Sequence, residues 1–183
     1  MISSLIGIIA SSGGGGAGAG GDYESIATAT VGSGGAASIN FTGIPSTYQH
    51  LQIRAIGYGA SAGGRQILFQ LNGDTGSNYN SHHLYGDGSG LVSGAKGTSS
   101  NGWVTYWDSA NWGSCVMDIL DYSNANKNKT TRTIGGHDLN GSGFILLRSG
   151  LWMNTSAVTS VQIFPDSGNF GQHSSFALYG IKG

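Results

Sequence analysis

The sequence predicts an all-β protein, an antiparallel β-sandwich of jelly-roll type behind an extended glycine-rich N-terminal arm. Composition is the first reason. The 183 residues include 34 Gly and 2 Pro, and 9% are charged, against about 7% Gly and about 25% charged residues in ordinary domains. Gly, Ser, Thr and Asn replace Lys and Glu as the polar residues, and these favour strands and tight turns over helices. Periodicity is the second. Apolar and polar residues alternate in short runs, and no stretch sustains a 3.6-residue period. Punctuation is the third, because turn residues recur at intervals that suit a sandwich or barrel. So few charges also imply a surface that something else partly covers.

The N-terminal segment comes first in the chain. Met1–Ala10 reads MISSLIGIIA, and no charged side chain precedes Asp22. Its apolar residues are Ile2, Leu5, Ile6, Ile8 and Ile9. It is too short to span a bilayer, and it lacks the basic residues that open a signal peptide. Residues 12–21, SGGGGAGAGG, form a tether. An apolar decamer on such a tether is expected to dock against neighbouring subunits. The chain therefore divides into an arm, 1–21, and a sandwich domain, 22–183.

Strands follow in order. Glu24–Val31 places Ile26, Thr28 and Thr30 on one face. Ser38–Ile44 points Ile39 and Phe41 inward, and Pro45 stops it. Gln49–Gly57 alternates Leu51, Ile53 and Ala55 against Gln52 and Arg54. Arg65–Leu71 sets Ile67, Phe69 and Leu71 against Gln66 and Gln70. Asn72-Gly73 makes a tight turn, since both residues tolerate positive φ, and leads into Tyr79–Tyr85. Residues 86–100 read as a polar loop. Trp103–Trp107 is a short strand. Gly113–Tyr122 is apolar on both faces, the mark of a central strand. Lys129–Ile134 pairs with it, Asn140-Gly141 introduces Phe144–Met153, and Val158–Phe164 and Ser174–Lys182 complete the set.

Chemistry is sparse. The formal charge of −1 gives no attraction to nucleic acid or an anionic membrane. Lys127, Lys129 and Arg132 read as a solvated hairpin loop. Cys115 is the only cysteine and sits in an apolar run, so a buried inert thiol is expected and no disulfide within the chain exists. His50, His82, His83, His137 and His173 show no metal-ligand spacing, and His82 and His83 point to opposite faces. Asp118 and Asp121 read as opposite faces of one strand, which disfavours a carboxylate pair. Asp74 and Asp87 sit in turns whose oxygens suit calcium, yet the EF-hand pattern is absent. No glycine run has the strand–GxGxxG–helix setting. The expectation is no catalytic residue, no metal and no cofactor.

One segment stands out. Residues 103–112, WVTYWDSANW, hold Trp103, Tyr106, Trp107 and Trp112. They form either a packed strand or an exposed platform for a sugar ring or partner protein. On a regular strand Trp103 and Trp107 share a face and Tyr106 takes the other. The turn at 108–111 returns Trp112 nearby.

Several segments carry a resemblance. YESIATATVGSGGAASINFTGIPSTYQHLQIRAIG, FQLNGDTGSNYNSHHLYGDG, MDILDYSNANKNKTTRTIGG, NGSGFILLRSGLWMN, SVQIFPDSGNF and FALYGIKG resemble small structural proteins of tailed bacteriophages, abundant in aquatic phages. LNGDTGSNY, DILDY, GSGF and the terminal FALYGIKG are the most specific marks. The resemblance covers nearly all of Tyr23–Gly183. It implies a virion component, such as a fibre, spike or capsid decoration, and carries over no catalytic residues. The expected partners are copies of the chain itself as a homotrimer, other virion proteins and a host surface glycan. A carbohydrate-binding module and a self-polymerising extracellular filament subunit, whose arm donates a strand to its neighbour, are the alternatives.

Overall fold

The computed structural model describes residues 21–60, 63–109 and 111–183. The arm residues Ile2, Leu5, Ile6, Ile8 and Ile9 lie outside the described residues, which form twelve strands and no helix. These are β1 (Tyr23–Thr30), β2 (Ile39–Thr42), β3 (His50–Gly57), β4 (Arg65–Leu71), β5 (Tyr79–Gly86) and β6 (Leu91–Ser99), followed by β7 (Gly102–Trp107), β8 (Gly113–Leu120), β9 (Lys129–Asp138), β10 (Gly143–Trp152), β11 (Ser160–Pro165) and β12 (Ser175–Ile181). They build two antiparallel sheets. The large one runs β1-β12-β3-β8-β9-β10-β5-β6 and the small one β2-β11-β4-β7.

Alternation produces the core between the sheets. Ile39 and Phe41 of β2, Ile67, Phe69 and Leu71 of β4, and Val161 and Ile163 of β11 face Leu51 and Ile53 of β3, Met117 and Ile119 of β8, and Phe176 and Leu178 of β12. All are buried, and each such side chain contributes about 1.5–3 kcal/mol relative to exposure. The tight turn predicted at Asn72-Gly73 has φ of 54° and 66°, and that at Asn140-Gly141 has 54° and 109°. β8 lies inside the large sheet and pairs with β9, as its apolar run implied.

Several expectations need correction. Residues 91–99 are not loop but β6, hydrogen-bonded to β5. This edge strand buries neither face, so its sequence carries no alternation. In β1 a register shift between Ser25 and Ala27 breaks the phase. Ile26, Ala27 and Ala29 pack on the core while Thr28 and Thr30 are exposed. β8 ends at Leu120, so Asp121 leaves the strand for a turn at φ 48°. Lys129 is not solvated at all: it is fully buried, and its ammonium donates to three carbonyls.

Candidate functional site

The aromatic segment is divided among three environments. In β7 the register against β4 shifts so that Ile67 pairs with Thr105 and Leu68 with Trp103. Val104 is the extra residue, and Trp103 and Trp107 therefore do not share a face. Trp107 lies in the core against Phe170 and Phe176, with ring centroids 6.0 and 5.9 Å away. Its indole leaves no room for a side chain at Gly113, where a Cβ would stand 2.2 Å from Cδ1. The expected contact role for Trp107 is incompatible with that burial.

Trp103 and Tyr106 join a second cluster on the inner face of the large sheet. His83, at 5.5 Å, lies beside Trp103, and Tyr106 packs on Phe144 at 5.3 Å and His137 at 6.3 Å. Arg148 and Lys96 both approach the Trp103 ring, at 5.0 and 5.1 Å from its centroid. Arg148 is buried; its guanidinium donates to Thr105 O at 3.3 Å and Gln66 Oε1 at 2.8 Å. Burial draws its pKa down to about 10, which still leaves it charged at neutral pH. Burial, Arg148 and His82 together hold His83 below the usual histidine range. Around this cation Ser81, Thr105 and Thr133 bury hydroxyls, and His83 an Nδ1, that have no hydrogen-bond partner among the described residues. His82, as predicted, faces the other way and is exposed. No carboxylate forms an ion pair with Arg148 among the described residues.

Trp112 stands apart. It precedes β8, is 47% exposed, and meets the Tyr58 ring edge-on at 5.0 Å. It borders an open trough of about 720 Å³ that crosses β8, β9 and β10 to the turn after β5. Glycine keeps the floor bare. A Cβ on Gly136 would lie 2.3 Å from Phe144 O, and one on Gly143 2.3 Å from His137 O. Asp138 and Asp87 lie along the trough with Ser114, Ser142 and Ile145. The N–H groups of Ser89 and Gly90 donate to Asp87 Oδ1 at 2.8 and 3.0 Å and hold its carboxyl below the usual range.

Sequence reasoning missed the outer face of the large sheet. Leu84, Leu147, Ile134 and Val116 are consecutive partners across β5, β10, β9 and β8, a continuous apolar row. Ile145 and Ile56 flank it, and these residues other than the half-buried Val116 are 43–62% exposed. The signal was present: Phe144-Ile145-Leu146-Leu147 is apolar at successive positions, which a strand with one wet face does not need.

The other candidates resolve into structure. Cys115 is buried, and burial pushes its thiol up to about 12. Asp74 organises a turn: it accepts from Gly76 N at 2.8 Å, Asn78 Nδ2 at 2.9 Å and Trp152 Nε1 at 2.7 Å. Among the described residues no group of three or more His, Cys, Asp or Glu is placed to hold a metal. Compared with protein-family models and with curated proteins, the chain matches none.

Proposed function

We propose that the chain is a structural subunit of a bacteriophage virion, a fibre, spike or capsid decoration, which assembles as a homo-oligomer through its N-terminal arm, contacts host surface glycans and has no enzymatic role. The virion assignment rests on the sequence resemblance. The observation that carries the assembly reading is the apolar row Leu84–Leu147–Ile134–Val116, extended by Ile145. A charge-poor chain that leaves such a row uncovered suits a surface filled by another subunit. Its proposed occupant is the apolar decamer of a neighbouring copy. Residues 11–22 can extend to about 40 Å. That length lets the decamer leave its own domain and reach an adjoining one. Strand order supports the jelly-roll reading. Without the β5–β6 and β9–β10 hairpins, the sheets reduce to β1-β12-β3-β8 and β2-β11-β4-β7. That is the eight-strand order of jelly rolls, a fold that capsid and lectin domains use.

Sedimentation of the full chain tests the assembly reading. The wild type is expected to sediment as an oligomer. Ile134→Asp with Leu147→Asp, or deletion of residues 1–21, should yield monomers with an unchanged circular dichroism spectrum. A monomeric wild type, or an oligomer indifferent to both changes, refutes it. Gold-labelled antibody against the chain on purified particles tests the virion assignment, and unlabelled particles refute that.

A further inference from the structure

Resting on the host-contact part of that reading, we propose that the trough beside Trp112 is a binding site for a neutral saccharide, with Trp112 as the stacking platform and Asp87 and Asp138 as hydroxyl acceptors. The trough has the two halves that a sugar presents. A pyranose offers an apolar C–H face and a rim of hydroxyl donors and acceptors. Trp112, 47% exposed and held edge-on by Tyr58 at 5.0 Å, supplies the apolar plane. Tryptophan does this at low entropic cost because few rotamers need fixing.

The polar rim selects among ligands. Asp87 and Asp138 are exposed carboxylates, and Ser114 and Ser142 add hydroxyls that both donate and accept. Asp87 is pre-positioned, because backbone N–H groups at 2.8 and 3.0 Å fix one of its oxygens. Among the described residues neither Lys nor Arg lines the trough. An anionic ligand, whether an acidic sugar, a phosphate or a nucleotide, would meet two negative charges and no positive one. The floor fits as well. At Gly136 and Gly143 neighbouring carbonyl oxygens leave no room for a side chain, so a flat ring can lie against bare backbone. A volume near 720 Å³ accommodates a short oligosaccharide.

The trough adjoins the apolar row and shares Val116, Ile134 and Ile145 with it. Trp112, Asp87 and Asp138 lie outside the row, so substitutions there test the site apart from assembly. The experiment places the full-length chain on an array of neutral and acidic glycans. Saturation-transfer NMR with the best neutral hit follows, with sialyllactose and choline chloride as controls. A neutral glycan is expected to bind and to change tryptophan fluorescence. Trp112→Ala should weaken binding roughly tenfold or more, and Trp112→Phe should recover part of it. Asp138→Asn should weaken it less, and Trp103→Phe should leave it unchanged. Sedimentation of the same samples reports assembly independently. A monomeric chain that still binds the glycan refutes the assembly reading and leaves the site standing. The proposal is overturned if no neutral glycan binds, if binding survives Trp112→Ala, or if sialyllactose or choline binds in preference.

Discussion

Lys129→Met should be among the most destabilising single changes in this domain. Lys129 opens β9 and is fully buried. Its Nζ donates to Asn124 O at 2.7 Å, Lys127 O at 2.8 Å and Thr155 O at 2.9 Å. One ammonium thus ties the β8–β9 turn to the segment after β10. Burial pulls its pKa below the usual lysine range, Asp121 opposes that and Lys127 adds to it. Three carbonyl acceptors favour the charged form. Hydrogen bonds to a charged group are worth about 1.5–3 kcal/mol each, so three amount to about 5–9 kcal/mol. Methionine recovers the desolvation of the ammonium, a term of several kcal/mol, and leaves the carbonyls to find water. The net loss expected is about 3–4 kcal/mol, read as a lower urea midpoint at unchanged slope. The corresponding fall in Tm is roughly 6–15 °C for a domain of this size. Lys127→Met is the control: Lys127 is exposed and its ion pair with Asp121 is a surface one, worth under about 1 kcal/mol. A loss below about 1 kcal/mol for Lys129→Met would refute the reasoning, because ordinary polar surface sites cost that little.

Two further changes probe the interior. Gly113→Ala puts a Cβ 2.2 Å from Trp107 Cδ1, and overpacking of this kind costs about 1–3 kcal/mol; Gly97→Ala, with nothing within 4 Å, should be near neutral, and a reversed order in urea melts would contradict the packing. His83 has a lowered pKa, chiefly from burial, then from Arg148 and His82, and it also lies beside Trp103 near Lys96. The unfolded chain then binds more protons just below the ordinary histidine pKa, so His83 contributes stability that is fully present above about pH 6.5 and is lost as pH falls from there through its lowered folded value. His83→Gln should flatten this part of the stability curve, and an equally steep decline in the variant would exclude His83 as its source.

The legible part of the fold was the part governed by alternation. Ile67, Phe69 and Leu71, or Leu51 and Ile53, can only be half-buried strands, and Asn72-Gly73 and Asn140-Gly141 can only be turns. The opposed directions of His82 and His83 followed from the same geometry. What escaped has specific causes. β6 has no buried face, so LVSGAKGTS carries no pattern to read. The irregularities at Ile26 and Val104 each add one residue to a strand, and nothing in the sequence marks them. The Val104 bulge alone separates Trp103 from Trp107, which decides which aromatic reaches the surface. Lys129 looked solvated because its third acceptor, Thr155 O, lies a whole strand later in the chain.

The two sheets differ in width, and that difference explains where the unusual surfaces fall. A sheet of four strands cannot cover a sheet of eight. Beneath β2, β11 and β4 the inner face of the large sheet is apolar, with Leu51, Ile53, Met117 and Ile119. Beyond that cover the edge strand β7 lies over it, and there the inner face turns polar, with Thr131, Thr133, Ser81 and Arg148. Arg148 is held there by Thr105 O and Gln66 Oε1, while Trp103, His83 and Tyr85 remain half-exposed at the rim between β7 and β5. The strands responsible are β9, β10, β5 and β6, the two hairpins that widen the large sheet. The same hairpins supply Leu84, Leu147 and Ile134 to the outer apolar row and Asp138 and Gly143 to the trough. Under the jelly-roll reading, the eight remaining strands bury the apolar core, and the hairpins contribute most of the surface that a partner or glycan would meet. Substitutions on β2, β4 and β11 should therefore register as changes in stability. Those on the outer faces of β9 and β10 should change association while leaving the melting transition nearly where it was.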